Sequence, residues 1–166
     1  DHAGGGRAGG DGGGALMLAL DDLLARIPGE RDALNEADDT LMRVLRHVER
    51  VLGDLRPGVE AEVDYNDPID GAMVLGWGRH GSNWRLLCRP AGTSGIENVA
   101  LTSTSRAGRA AVFLRSDGEH APIMRLLVAV ATALSQAVEA RRQPVAGARQ
   151  VEDLLAYAGF TATKSS

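Results

Sequence analysis

Leu16, Leu20, Leu23, Leu24 and Ile27 recur at helical spacing, which predicts a helix over residues 15–27. Pro28-Gly29 then reads as a stop. Beyond it, Leu34, Leu41, Val48 and Leu55 repeat every seventh position, with Ala37, Val44 and Val51 on a second seam and Leu45 and Leu52 widening the stripe. That pattern predicts a longer helix over residues 30–55. The widened stripe favours packing on a sheet over a strict two-helix coiled coil.

After Pro57-Gly58 the period falls to two. Val59, Ala61, Val63 and Tyr65 alternate with Glu60, Glu62 and Asp64, as in a strand with one dry and one wet face. Asp64, Asn66, Asp67, Asp70 and Gly71 follow as a turn; the glycine and glutamate that a calcium loop requires are at neither expected position. Residues 73–90 hold both tryptophans, His80 and the lone cysteine, and Gly81-Ser82 suits a two-residue hairpin loop. If that loop closes the turn, Trp77 opposes Leu86, Leu75 opposes Cys88 and Arg79 opposes Trp84. Met73, Leu75, Trp77, Trp84, Leu86 and Cys88 then share one apolar face. Val74, Gly76, Gly78, Arg85, Leu87 and Arg89 take the other. A nucleic-acid platform needs aromatics and cations on one accessible surface, so the tryptophans are expected in the core, with Arg79 covering an edge of Trp84.

A short strand is expected over 97–101, and residues 105–115 fit a helix started by Ser103 or Ser105 better than a strand. Residues 121–142 read as a long helix, apolar almost all round between Ile123 and Leu134 and closed by Pro144. A last short helix over 151–158 completes the pattern. The expected fold is α+β: a small antiparallel sheet of three to five strands around the 73–90 hairpin, packed against long N- and C-terminal helices. The expected organisation is a flexible tail over 1–14, where eight of fourteen residues are glycine, a single domain over 15–159, and a frayed end over 160–166. The helix–sheet–helix order resembles, in architecture alone, that of small acidic secretion chaperones.

Composition narrows the functions more than it names one. With a formal charge of −4 and only one lysine, the chain exerts no general attraction on nucleic acid or anionic membrane. No stretch reads as a membrane span, and a single cysteine offers neither a disulfide nor a zinc site. His2, His47, His80 and His120 have no metal-ligand neighbour at helical or strand spacing, with His47 expected half-buried beside the helix stripe. No cofactor or metal and no catalytic residue is expected. The leading expectation is a non-enzymatic interaction or adaptor domain in the cytoplasm, homodimeric, whose partner is another polypeptide or a second copy of the chain. Its candidate contact strip is Gly76, Gly78, Arg85, Leu87 and Arg89, where bare backbone admits close approach, although a helix of the same chain is the first expected occupant. A nucleic-acid alternative adds Arg106, Arg109 and Arg115. A small-molecule alternative places a site near Asp64, Asp67, Asp70, Arg79 and His80.

Overall fold

The computed structural model describes residues 11–92 and 98–159. Its elements, in order, are α1 (Asp11–Leu55), β1 (Ala61–Asp67), β2 (Gly71–His80), β3 (Asn83–Pro90), β4 (Val99–Ala100), a 3-10 turn (Leu101–Ser103), α2 (Arg106–Ala111) and α3 (Pro122–Tyr157). The four strands form one antiparallel sheet in the order β1-β2-β3-β4, so the fold is α+β. Packing divides the chain into two compact units, one ending at Leu41 and the other starting at Met42.

The hairpin has the register that its loop dictates. Gly81 takes φ 63°, a value that strains any residue with a Cβ, and Ser82 completes the two-residue turn. Trp77 opposes Leu86, Leu75 opposes Cys88 and Arg79 opposes Trp84. β1 pairs with β2 so that Ala61, Val63 and Tyr65 lie opposite Trp77, Leu75 and Met73. One sheet face therefore carries all these apolar side chains. The core forms where Leu45 and Leu52 of α1, Ala111 and Val112 at the end of α2, and Ile123, Leu126 and Val130 of α3 close over that face. Trp77, Leu45, Leu75, Leu86, Leu101, Leu126 and Val112 are essentially sealed from water. Each such aliphatic side chain contributes about 1.5–3 kcal/mol of burial free energy.

Local chemistry sets the element ends. The Ser105 hydroxyl caps α2 by accepting from the Gly108 amide at 3.1 Å. Ile123 N–H donates to the Val112 carbonyl at 3.0 Å, tying the start of α3 to the end of α2. The buried carboxylate of Asp67 accepts from the amides of Ile69 (2.8 Å) and Asp70 (3.0 Å), which makes the acidic segment a side-chain-stabilised turn. β4 has only two residues, so among the described residues only Leu87 and Cys88 of β3 have a strand neighbour there. The Leu86 amide donates instead to the Glu49 carboxylate of α1 at 3.0 Å.

Three expectations about helices need correction. Pro28 lies inside α1 and Pro144 inside α3, so each expected pair of helices is one helix. A proline costs an interior helix its hydrogen bond to the fourth residue back, but the longer period overrides the local stop. Leu20, Ile27, Leu34 and Leu41 keep one seven-residue phase across Pro28. Val130, Ala137, Pro144 and Val151 do the same in α3. Third, α3 is the one helix among the described residues long and apolar enough to cross a membrane, with an 18-residue stretch of mean hydropathy 1.5. It lacks charge from Leu126 to Val138, which overturns the expectation that nothing resembles a span. Its early turns nonetheless belong to the domain core, through Ile123, Leu126 and Val130.

The expected strand over 97–101 reduces to Val99–Ala100; its first residue, the 1–10 part of the tail and 160–166 lie outside the described residues.

Candidate functional site

Gly76, Gly78, Arg85, Leu87 and Arg89 come from the paired strands β2 and β3, with Gly76, Gly78 and Leu87 buried, and the cover over the glycines differs from the one expected. Among the described residues no helix atom is nearest to Gly76 or Gly78; side chains of Glu62, Glu60 and Leu87 are. A Cβ on Gly76 would meet Glu62 Cγ at 3.3 Å and the Ala61 carbonyl at 3.4 Å; one on Gly78 would meet Leu87 Cδ1 at 3.6 Å and Glu60 at 3.9 Å. The glycines thus leave room for the stems of Glu60 and Glu62. Beside them is a shallow polar cleft of about 450 Å³, lined by Glu60, Glu62, Gly76, Gly78, Arg79 and Leu87 among others.

The arginines of this face have partners. Arg89 Nη2 donates to Glu62 Oε2 at 2.9 Å, and Leu87 beside it is buried. Arg85 Nε lies 3.6 Å from Glu49 Oε1, and its Nη2 donates to the Thr102 hydroxyl at 3.3 Å. Of the further candidates, Arg106 and Arg109 lie on α2, and Arg109 donates to the Thr104 carbonyl. Arg115 lies beyond α2 and is exposed. With Glu60 just before β1 and Glu62 and Asp64 alternating along it, this face is mixed in sign.

The constellation drawn from Asp64, Asp67, Asp70, Arg79 and His80 does not assemble. The acidic turn precedes Gly71 and His80 ends the same ten-residue strand, so the two ends stand about 30 Å apart at the rise of an extended chain. Asp64 also serves the fold, its carbonyl accepting from Arg125 Nη2 of α3 at 2.8 Å. His47 is exposed, not half-buried, and its ring nitrogen meets Arg50 at 2.9 Å. It lies one position outside the Val48 seam, which explains the difference. Among the described residues no group of three potential metal ligands gathers.

The tryptophans behave as the hairpin pattern predicts. Trp77 is fully buried and Trp84 half-buried, and the two rings stack with centroids 5.9 Å apart at 24°. Trp84 thus finds its ring contact in Trp77. The Cys88 thiol is buried, and its pKa is pushed up by burial and by the nearby Asp67 and Asp70 carboxylates. The thiolate, which is the nucleophile, is disfavoured there. The Tyr65 hydroxyl is pushed well above its ordinary range, first by burial and then by Cys88, Asp67 and Asp70. Neither group is poised for chemistry at neutral pH.

Further exposed apolar surface lies on the helices. In the first unit Leu20, Leu23, Leu24, Ile27 and Leu34 are all exposed. Residues 17–41 carry seven carboxylates against two arginines. In the second unit, α3 continues past the core with Leu134, Val138, Val145, Val151 and Leu155 between 40% and 55% exposed. Charge along residues 134–157 is balanced, three acids to three arginines. The helical spacing carries the signal for both stripes, and the core covers only part of each. What the fold defines is thus a small α+β domain with long amphipathic helices. No family model, curated protein or solved structure matches the chain.

Proposed function

We propose that the chain is a non-enzymatic interaction domain of the cytoplasm that works as a homodimer, its copies joined along the outer part of α3. The observation that carries this reading is the exposed seam from Leu134 to Leu155, because contiguous apolar surface of this kind marks an association site. The seam is close to a palindrome. A second copy running antiparallel and centred between Pro144 and Val145 sets Leu134 against Leu155 and Val138 against Val151. Two-fold pairing then repeats each contact and closes the assembly. Arg149 of one copy falls beside Glu139 of the other, while Ala137, Ala140, Gly147 and Ala148 keep the centre narrow. The stripe on residues 17–34 has the opposite character. Its surplus of carboxylates repels a second copy, so it suits a basic amphipathic helix of another polypeptide, which makes the dimer an adaptor.

Burial of Ile123, Leu126 and Val130 in the domain core supports a soluble chain over a membrane-spanning one, since insertion of α3 would strip the sheet of its cover. The buried, unpaired Cys88 suits a reducing compartment. The nucleic-acid alternative is less favoured by the ion pairs of Arg85 and Arg89 with Glu49 and Glu62.

Sedimentation equilibrium between 1 and 100 μM tests the reading. A dimer is expected, and in a Cys88→Ala background, Leu134→Cys with Leu155→Cys forms an intermolecular disulfide that Leu134→Cys alone does not. A monomer at 100 μM, or efficient crosslinking by Leu134→Cys alone, defeats the antiparallel dimer.

A further inference from the structure

A second cleft, independent of the α3 seam, opens where the C-terminal turn of α1 meets the tip of the β2–β3 hairpin. It encloses about 620 Å³ and is lined by Leu52, Arg56, Trp77, Ser82, Trp84 and Arg85 among others. Three features bear on it. The indole N–H of Trp77, a lining residue only 1% exposed, has no acceptor among the described residues. Buried polar groups are nearly always paired, so an orphan donor beside a cleft calls for an acceptor from outside. The lining also contains two guanidiniums and no carboxylate. Arg85 shares its charge with Glu49, whereas Arg56 is exposed and makes no ion pair among the described residues.

The third feature is the backbone of Arg56, the first residue beyond α1. It holds φ 45°, the left-handed region, while its N–H donates to the Leu52 and Gly53 carbonyls at 3.2 and 3.3 Å. Glycine is the residue that suits this helix-ending position. An arginine there accepts backbone strain and gains a cation at the mouth of the cleft, and strain of this sort clusters at ligand sites.

The geometry points to this cleft as a binding site for a carboxylate with a flat apolar body. The body packs on Trp84 and Leu52, the carboxylate meets Arg56, and an acceptor oxygen takes the Trp77 N–H. The same chemistry occurs in a free aromatic acid and in the C-terminal residue of a peptide ending in phenylalanine. Trp77 and Trp84 are the chain's two tryptophans and both line this cleft, Trp77 lining the outer polar cleft as well, so their emission reports binding here.

The test titrates the full chain with 3-phenylpropionate, with 3-phenylpropionamide, and with a tetrapeptide ending in Phe as free acid and as amide. At least one acid is expected to change tryptophan emission saturably, with its amide at least tenfold weaker; the tighter acid identifies the natural source. Arg56→Gly is expected to weaken the acid at least tenfold while leaving the thermal midpoint unchanged or higher, because glycine relieves the left-handed strain. Arg56→Lys should restore most of the affinity. Acid and amide binding alike, no saturable change up to 10 mM, or wild-type affinity in Arg56→Gly would each overturn the proposal. None of these readouts depends on whether the chain dimerises.

Discussion

The first turns of α3 and its later turns share one pattern and opposite surroundings. Ile123, Leu126 and Val130 are no more than 5% exposed, whereas Leu134, Val138, Val145, Val151 and Leu155 are at least 40% exposed. Both stretches repeat with helical period on one side of one helix. Spacing therefore tells which side of a helix is apolar, and only the third dimension tells what covers it. The early turns owe their burial to Tyr65, Met73, Leu75 and the other inward residues of the sheet. Once α3 passes the sheet, the stripe continues without a partner from its own domain.

The sharpest way to break this contrast is to truncate matched leucines on the two stretches. Leu126→Ala is expected to cost about 2–5 kcal/mol of unfolding free energy, through lost transfer energy and a residual cavity. Leu134→Ala should cost less than about 0.5 kcal/mol when urea denaturation is measured on the monomer. Equal losses would mean that the outer stretch is covered within the monomer. Next in size, Val138→Glu should weaken self-association about a hundredfold in sedimentation equilibrium, with an unchanged far-ultraviolet circular dichroism spectrum; a charge cannot enter a dry seam without a partner.

A smaller effect follows from the raised ionisation of the core thiol and phenol. In the unfolded chain a thiol ionises near pH 8.5 and a tyrosine near pH 10, but folded Cys88 and Tyr65 hold their protons to higher pH. Above pH 8.5 the unfolded state therefore binds fewer protons than the native state. The stabilisation is complete below that pH and declines as pH rises toward the folded pKa values. Denaturation midpoints should fall between pH 8.5 and 11. Cys88→Ala should flatten the first part of that fall and Tyr65→Phe the second. Smallest of all, Glu62→Gln should shift stability by no more than about 1 kcal/mol, since its pairing with Arg89 is partly solvated.

Much of the domain was legible in the residues because short-range rules governed it. Gly81-Ser82 specified the hairpin register, and the register placed Trp77, Leu75 and Cys88 inward. Ser105 announced α2. The helix boundaries were not legible, because Pro28 and Pro144 are strong local signals and the phase of Leu20, Ile27 and Leu34 must be followed across them. Glu49 was also missed: it looks like one more solvated carboxylate. Its spacing, four after Leu45 and three before Leu52, already put it on the packed side. The tryptophan cleft is beyond sequence patterns altogether, since it needs Arg56 and Trp84 brought together by the packing of α1 on the hairpin.

The bond from Leu86 to Glu49 also guards the margin of the sheet. An open ribbon normally invites a stranger's backbone to add itself at the margin, and repeated addition grows fibres. Here one margin is plugged by a carboxylate at the amide a newcomer would use, while the other is fringed by the negative charges of Glu60, Glu62 and Asp64. Under the proposed dimer, contact between copies is thereby kept off the strands and left to the shafts of the helices, where it can stop at two.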